Sequence, residues 1–249
     1  MYKLQQGDCL LLMKDIPDES IDMILCDLPY GQKSRNRWDK EIPFEPLWEQ
    51  YERIIKSNGA IVLFANGMFT AKLMLSNKKL WRYNLIWEKT QPTGFFNANK
   101  MPLRNHEDIC VFYKKLPTYN PQKTTGHPRK VSSAESKRNC KISTDYGKYK
   151  FTSYDSTERY PKSVWLYDKD TQHSALHGTQ KPVALCETLI KTYTNEGEVV
   201  LDNCMGSGST GIAAMNTKRD FIGMEKDEEI FMIAQQRLSE NARTLNIAL

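Results

Sequence analysis

Residues 199–211 read VVLDNCMGSGSTG, and this stretch indicates the fold. A short apolar strand, Val199 to Leu201, is followed by a glycine-rich turn, and the residues from Thr210 to Met215 open a helix. Glycines at such a turn allow a tight reversal and let a ligand approach the backbone closely. A strand, a glycine turn and a helix in this order are typical of nucleotide-binding α/β proteins, although a purely structural turn has the same pattern.

The residues around this turn narrow the choice of ligand. A phosphate-binding P-loop ends in Gly-Lys-Ser or Gly-Lys-Thr, and the corresponding lysine is absent here, so ATP or GTP hydrolysis is disfavoured. Glu225 lies 19 residues after Gly206, at the end of the next apolar run. A carboxylate in that position can accept hydrogen bonds from both hydroxyls of a ribose. The turn and the acid together favour a ligand that contains adenosine.

Short apolar runs alternate with amphipathic segments on both sides of residues 114–175, which predicts a doubly wound, mostly parallel α/β sheet. The loop from Gln91 to Asn105 is long enough to be functional. Strands are predicted at Tyr2 to Gln6, Ile21 to Cys26, Ala60 to Ala65, Leu85 to Glu88, Ile109 to Tyr113, Val199 to Leu201 and Phe221 to Met224. Helices are predicted around Phe44 to Ile55, Met68 to Ser76, Val183 to Tyr193 and Thr210 to Met215, and from Asp227 onward.

Composition excludes several classes of protein. The 249 residues are 40% hydrophobic and 26% charged, as expected of one globular domain that carries a lobe. Apolar runs such as Ile61 to Ala65 are far shorter than a membrane-spanning helix, and the start lacks a signal peptide's apolar stretch, so a cytoplasmic protein is expected. Six cysteines without a Cys-x-x-Cys pair favour neither disulfides nor zinc, and a polar loop is the better reading of His173 and His177 than a metal site.

Positive charge is concentrated in the middle of the chain. Residues 114–162 carry twelve Lys or Arg and four Asp or Glu, a net charge of +8, whereas the whole chain has +5. Tyrosines are interleaved with these charges, a pattern that suits phosphates and exposed bases, although a solvated insertion fits the composition equally well. We therefore predict three segments: residues 1–113 and 176–249 as the two halves of one α/β domain, and residues 114–175 as a basic insert.

A second motif follows the strand Ile21 to Cys26, and it reads Asp27-Leu28-Pro29-Tyr30-Gly31. The carboxyl end of a strand is the edge at which open α/β sheets bind ligands. There the carboxylate of Asp27 can accept hydrogen bonds from an amino group, Pro29 stiffens the turn, and Tyr30 offers a flat face to a planar ring. By itself the pattern Asp-x-Pro-Tyr is more often a surface turn with an anchoring tyrosine.

Together the two motifs resemble those of the S-adenosylmethionine-dependent amino DNA methyltransferases, which make N6-methyladenine or N4-methylcytosine. The order Asp-Leu-Pro-Tyr, basic segment, glycine turn is similar to the circularly permuted class called beta, in which the middle segment recognises the target. The resemblance spans nearly the whole chain and implies a Rossmann-like sheet. It includes Gly7-Asp8-Cys9, Trp87-Glu88-Lys89, His106-Glu107 and residues 177–182, HGTQKP.

The resemblance also implies roles for individual residues. Asp27 and the main-chain carbonyl of Leu28 would accept the protons of the target amino group, Pro29 would hold the turn and Tyr30 would stack on the base. Lys181 is alternatively a surface lysine at a helix start, and Asp8 alternatively caps a helix. The residues expected to bind S-adenosylmethionine are Asp8, Cys9, Asp27, Lys181, Asp202, Cys204, Gly206, Ser207, Gly208, Ser209, Thr210 and Glu225. The residues expected to contact DNA are Arg35, Arg37, Arg129, Lys130, Lys137 and Arg138, and for Arg35 and Arg37 a solvated loop is the equal alternative.

The resemblance leads to one expected function and two alternatives. Aspartate rather than serine at position 27 favours methylation of adenine N6, and cytosine N4 is the alternative within the family. The alternative from another class is a non-catalytic DNA-binding protein whose glycine turn is structural. A homodimer, a partner restriction endonuclease and a bacterial or phage origin are further expectations, and no metal is expected.

Overall fold

The computed structural model describes residues 1–31, 40–134, 153–168 and 180–245. They belong to two units, the larger made of Met1–Asn120 with Ser163–Leu249 and the smaller of Pro121–Lys162. The strands of the chain are β1 Tyr2–Gln6, β2 Ile21–Cys26, β3 Ile55–Ala65, β4 Trp81–Thr93, β5 Arg104–Phe112, β6 Lys130–Ser132, β7 Tyr154–Ser156, β8 Val164–Tyr167, β9 Val199–Asp202 and β10 Asp220–Glu225. The helices are α1 Cys9–Leu12, α2 Phe44–Ile54, α3 Met68–Ser76, α4 Val183–Tyr193, α5 Ser209–Asn216 and α6 Glu228–Thr244.

The described strands of the larger unit form one eight-stranded sheet in the order β1-β10-β9-β2-β3-β5-β4-β8. Neighbouring strands are parallel except where β5 pairs with β3 and with β4. The strand β1 lies at the edge of the sheet, beside β10. The predicted mostly parallel α/β sheet is confirmed.

Both faces of the sheet are buried, because alternate residues of each strand pack against different helices. On β2, Met23 and Leu25 belong to a core that also contains residues of α4, α5 and α6. Ile24 and Cys26 point to the other face and belong to a core with residues of α1, α2 and α3. This double layer is the doubly wound arrangement that the alternating pattern predicts.

The structure differs from the sequence prediction at the far side of the sheet. The predicted loop from Gln91 to Asn105 is shortened at both ends by the β4–β5 hairpin, since Thr93 pairs with Arg104 and the connection is confined to residues 94–103. These paired residues are polar and exposed, so they lack the apolar alternation from which strands are predicted. The short strand β8 was also missed, and it pairs in parallel with β4.

The smaller unit is narrower than the predicted segment 114–175. Asn120 is bonded to the larger unit, where its amide donates to the carbonyl of Thr192 at 2.8 Å. Within the smaller unit β6 pairs with β7 in antiparallel fashion, and an isolated bridge joins Thr124 to Arg159. Among the described residues, no helix is both long and apolar enough to cross a membrane.

Candidate active site

The two motif carboxylates follow adjacent strands of the sheet. Asp27 comes directly after β2 and Asp202 is the last residue of β9, and these strands pair in parallel through Met23 with Val200 and Ile24 with Leu201. The carboxyl ends of parallel strands meet at one edge, so Asp27 and Asp202 belong to the same crevice even though they lie far apart in the sequence.

The turn after β9 depends on glycines with left-handed backbone angles. Gly206 has φ +51° and Gly208 has φ +86°, a region that other residues seldom adopt. A Cβ on Gly208 would lie 2.5 Å from a methyl group of the buried Leu238, whereas a Cβ on Gly206 would meet nothing within 4 Å. The turn therefore packs against α6 at Gly208 and leaves open space at Gly206.

Glu225 shapes the same turn. Its Oε2 accepts a hydrogen bond from the amide of Gly206 at 3.0 Å, and its Oε1 accepts from the amides of Lys226 at 2.8 Å and Asp227 at 2.9 Å. A carboxylate has about four lone-pair sites, so Glu225 keeps acceptor capacity for a ligand hydroxyl. The residue predicted to bind a ribose thus also ties β10 to the glycine turn.

Asp202 is buried under the turn. Burial raises the pKa of this carboxyl to about 7, although hydrogen bonds from Thr210, the Cys204 amide and Cys26 oppose the rise. The Cys204 amide donates to its Oδ1 at 3.1 Å. A carboxylate with so perturbed a pKa in a cleft is typical of a functional position.

The first turn of α5 offers one more polar group. The hydroxyl of Ser209 is buried and has no hydrogen-bond partner among the described residues, and an unpaired buried hydroxyl is costly unless a ligand completes it. Gly208 caps this helix without a side-chain hydrogen bond, so its first amides are available as donors. These groups fit the polar end of an amino-acid-like ligand.

A hydrogen-bond network around Asn203, which the sequence did not predict, supports the glycine turn. Asn203 Oδ1 accepts a hydrogen bond from the Tyr51 hydroxyl at 2.6 Å, and its Nδ2 lies 3.5 Å from the sulfur of Cys9 and 3.6 Å from that of Cys204. Tyr51 is on α2, 152 residues away in the sequence. No local pattern signals this contact, because the two residues meet only across the folded sheet.

The turn Asp27-Leu28-Pro29-Tyr30 presents its carboxylate with both oxygens engaged. The Tyr30 hydroxyl donates to Asp27 Oδ1 at 2.9 Å, and Lys181 Nζ donates to Oδ2 at 2.5 Å. Burial raises the pKa of Tyr30 well above its usual value, which keeps this hydroxyl a donor. The Tyr30 ring stacks on Phe69 with centroids 4.7 Å apart, so one face of the ring is covered, while the Leu28 side chain is buried and anchors the turn.

Lys181 is part of a buried charge cluster, and the surface-lysine alternative is wrong. Its side chain is 11% exposed, its Nζ lies 3.3 Å from Glu107 Oε2, and it sits 5.1 Å from the centre of the Phe64 ring. Glu107 forms a second ion pair with Lys89. Glu107 and Lys89 belong to the stretches that carry the resemblance, but the sequence assigned neither of them a role.

The charges in this cluster stabilise one another. Burial lowers the pKa of Lys181, yet the carboxylates of Asp27 and Glu107 outweigh it, so the pKa lies above its ordinary value. Burial likewise raises the pKa of Glu107, and the charges of Lys181 and Lys89 outweigh that effect and bring it below its usual value. Glu107 Oε2 nevertheless has no hydrogen bond from any described residue, so its attraction to Lys181 is electrostatic.

Asp8 caps a helix, as the sequence alternative proposed. Its side chain accepts a hydrogen bond from the amide of Leu10 at 3.0 Å, and its other oxygen accepts from Lys226 Nζ at 2.9 Å. The hydrogen bond from Lys226 lowers the pKa of Asp8. Cys9 follows at the start of α1 and is buried against Asn203, so both residues lie at the same sheet edge as the glycine turn.

The predicted DNA contacts are described only in part. Arg129 forms a two-point ion pair with Asp155, at 2.8 and 2.7 Å, and Lys130 is exposed on β6. Arg35, Arg37, Lys137 and Arg138 lie outside the described residues, as do His173 and His177. Within the described ranges no group of three or more His, Cys, Asp or Glu side chains is placed to hold a metal ion.

The fold and the site define a class of protein. The sheet matches that of DNA methyltransferases of known structure, with a TM-score of 0.64 and 24% identity to M1.HpyAVI in complex with S-adenosylmethionine, over 96% of this chain and 100% of that one. The PvuII DNA methyltransferase, which is cytosine-N4-specific, has a TM-score of 0.68 and 14% identity over 99% of this chain and 93% of its own.

Proteins that are similar to this chain in sequence point to the same class. The type II methyltransferase M.HinfI of Haemophilus influenzae is 27% identical over 94% of this chain and 67% of its own length. M2.LlaDCHI of Lactococcus lactis subsp. cremoris, also a type II methyltransferase, is 27% identical over 96% of this chain and 90% of its own length. The sequence model of the DNA methylase family N6_N4_Mtase matches residues 21–236. The chain belongs to this family of DNA methylases.

Proposed function

We propose that the protein transfers a methyl group from S-adenosylmethionine to the exocyclic N6 of an adenine in DNA. The observation that carries the proposal is the meeting of Asp27 and Asp202 at the ends of adjacent parallel strands. One carboxylate lies in a turn shaped for a planar amine and the other lies under a glycine turn shaped for a nucleotide-like ligand. The structure of M1.HpyAVI in complex with S-adenosylmethionine supports the choice of cofactor.

The residues present fit this cofactor. S-adenosylmethionine supplies an activated methyl group on a sulfonium sulfur. The open amides at the start of α5 and the unpaired Ser209 hydroxyl would hold its amino-acid end, with Asp202 as the partner of its ammonium group. Glu225 would hold the ribose through its remaining lone pairs, and Asp8 with Cys9 would face the adenine edge.

Asp27 and Leu28 prepare the target amine. The lone pair of an exocyclic amine is delocalised into the ring, which makes the nitrogen a poor nucleophile. Asp27 and the carbonyl of Leu28 would accept hydrogen bonds from its two N–H groups and favour a more pyramidal nitrogen, and Asp27 would then take the one proton that leaves as the methyl group bonds to the nitrogen. The Tyr30 ring, which is backed on one side by Phe69, would stack on the base, and the base must leave the DNA helix to reach this site.

Lys181 is a positioning residue in this mechanism. It touches Asp27 at 2.5 Å and is itself fixed by Glu107 and by packing on Phe64. The lysine holds the carboxylate in one orientation while the second lone pair on each Asp27 oxygen stays available to the substrate. A buried charge cluster of this kind is weak evidence for stability, so its presence beside Asp27 favours an enzyme over a non-catalytic DNA-binding protein.

The first experiment identifies the product. The purified protein is incubated with unmethylated DNA and labelled S-adenosylmethionine, and the DNA is digested to nucleosides for mass spectrometry. N6-methyladenine among the products supports the proposal, while N4-methylcytosine would identify the protein as a cytosine-N4 methyltransferase. No binding of the cofactor and no methyl transfer would favour the non-catalytic alternative.

The second experiment tests the catalytic residue. Asp27→Ala should keep the affinity for S-adenosylmethionine and lose about 10²- to 10⁴-fold in kcat, because it removes the proton acceptor and leaves the glycine turn and Glu225 unchanged. Replacement of the exposed Asp15 by alanine is the matched control and should leave both quantities unchanged. Near-normal methylation by Asp27→Ala would refute the assignment.

We further propose that the smaller unit, Pro121–Lys162, supplies the contacts that recognise the target sequence. Its composition of positive charge and tyrosine supports this role, and Arg129 and Lys130 are its described candidates. The permuted beta class, a homodimer and a partner restriction endonuclease stay predictions, and so do the DNA contacts of Arg35, Arg37, Lys137 and Arg138.

A further inference from the structure

The tip of the β4–β5 hairpin, residues 94–103, exposes large apolar side chains. Phe95 is 78% exposed, Phe96 is 100% exposed and Met101 is 58% exposed. Aromatic side chains gain much from burial, and a cluster of exposed apolar residues on a protein marks an interaction surface. The hairpin tip is therefore a candidate interaction surface.

The tip is a fixed turn. The Asn97 amide donates to the Gly94 carbonyl at 2.8 Å, and the Met101 amide donates to the Asn97 carbonyl at 3.0 Å. Gly94 has φ +91°, which begins the 3-10 turn Phe95–Asn97. Both phenylalanines belong to this turn, so their backbone is held in place before any partner arrives.

The hairpin projects from the same edge of the sheet as the catalytic turn. Asp27 follows Cys26, which pairs with Leu63, and Ala65 two residues later pairs with Asp108 of β5. Arg104 begins β5 four residues before Asp108, so the tip starts roughly 13 Å beyond that level, at about 3.4 Å per residue. A two-stranded ribbon of this kind fits the major groove of DNA.

The charge of the hairpin suits the same partner. From Lys89 to His106 the chain contains no aspartate or glutamate; Lys89 is buried in its ion pair with Glu107, whereas Lys100 and Arg104 are exposed. The Arg104 guanidinium also bonds to Asn66 Oδ1 at 3.1 Å, which ties the base of the hairpin to the loop after β3. A positive ribbon with an apolar tip matches a polyanion whose interior is stacked aromatic bases.

We propose that Phe95 and Phe96 insert into the base stack of the DNA next to the base that enters the site at Asp27. This inference rests on the proposed function, since it assigns the hairpin tip to the same methylated substrate. Extrusion of a base leaves a gap with two unstacked neighbours, and apolar wedges between base steps are a known means of stabilising such deformed DNA. The two rings would cover the neighbours that the extruded base leaves behind.

The test compares two DNA substrates. The first is a duplex in which nucleoside mapping has located the base that the wild-type enzyme methylates, and the second has an abasic site opposite that base, which leaves it unpaired. For the double variant Phe95→Ser, Phe96→Ser we expect kcat/KM to fall about 10- to 100-fold on the paired duplex and to change little on the abasic one. Leu75→Ser, at a 61% exposed position of α3, is the matched control for loss of exposed apolar area.

Each outcome decides the proposal. An equal loss on both substrates, or no loss on either, overturns the wedge while leaving the methyltransferase intact. A double variant that loses a dimer formed by the wild type, as seen by sedimentation, together with equal losses on both substrates, assigns the tip to contacts between copies and also overturns the wedge. If the wild-type protein methylates no DNA, so that no target base can be mapped, the proposed function itself is refuted.

Discussion

Replacing Lys181 by methionine removes the central charge of the site. Lys181 Nζ lies 2.5 Å from Asp27 and 3.3 Å from Glu107, and the side chains of the three residues are 11%, 29% and 13% exposed. Methionine keeps most of the length and apolar bulk of the lysine, so packing on Phe64 is largely retained. The variant leaves Asp27 without its cation, whereas Glu107 keeps Lys89.

The expected loss of stability follows from this geometry. Removing one partner of a buried ion pair costs about 3–5 kcal/mol, because the other charge is left uncompensated. Asp27 is part-exposed, and water restores some of its solvation, so we expect a decrease of about 2–4 kcal/mol in the free energy of unfolding. Adding Asp27→Asn to Lys181→Met should recover most of it, since no unpaired charge then remains at this position.

Urea denaturation of the wild type, both single variants and the double variant gives the coupling energy between the two residues. Catalysis gives a second readout: Lys181→Met should lose about 10²-fold in kcat and keep the Kd for S-adenosylmethionine, whereas Lys181→Arg, which preserves the charge, should be affected less. A coupling energy near zero would refute the role of Lys181 as the residue that holds Asp27. A large rise in the Kd for the cofactor would instead favour the predicted role of Lys181 in binding S-adenosylmethionine.

Three further predictions concern the glycine turn and its support. Burial raises the pKa of Asp202 to about 7 from 3.8, so the folded protein holds this proton more tightly than the unfolded chain does. The stability that the bound proton contributes at low pH is therefore lost as the pH rises from about 4 to 7. Urea melts should show Asp202→Asn becoming more stable relative to the wild type across that window, by about 4 kcal/mol, and a difference that stays constant with pH would contradict this. Gly208→Ala should lower the free energy of unfolding by about 2–3 kcal/mol and weaken cofactor binding, because the added Cβ meets Leu238 at a residue with positive φ. The matched control Gly206→Ala should lower it by about 1 kcal/mol, and equal losses for the two variants would show that the Leu238 side chain moves aside. Tyr51→Phe should lower the free energy of unfolding by about 1–3 kcal/mol, since the buried Oδ1 of Asn203 loses its hydrogen-bond donor. An unchanged urea midpoint would exclude that contact.

Local patterns predicted much of the fold. The helices Met68–Ser76 and Val183–Tyr193 have the bounds that apolar spacing and flanking residues suggest, and Asp227 caps the last helix with two backbone hydrogen bonds. These elements depend on residues close together in the chain, whose propensities act in the same direction. The distal halves of β4 and β5 were missed because a polar, exposed hairpin has no apolar face to signal it.

The residues of the site likewise fall into two groups, those that the sequence predicts and those whose contacts only the structure reveals. Asp27 and the glycine turn are visible in the sequence because each is a contiguous motif at a strand end, and that position alone predicts a ligand edge. The contact of Lys181 with Asp27 joins residues 154 positions apart, and the second pair with Glu107 brings in a third segment. An ion pair of this kind has no spacing rule, so the sequence left the lysine between a cofactor ligand and a surface residue.

By itself, then, the sequence determined the α/β class, the two strand-end motifs and the family, since these depend on local periodicity and on short motifs with fixed chemistry. Only the tertiary structure decided that Lys181 is buried between two carboxylates, that Asp202 is a carboxyl whose pKa is raised to about 7, and that Phe95 and Phe96 project from the edge where Asp27 lies. Burial and charge pairing are properties of three-dimensional neighbours, and they arise only once strands and helices from distant parts of the chain have packed together.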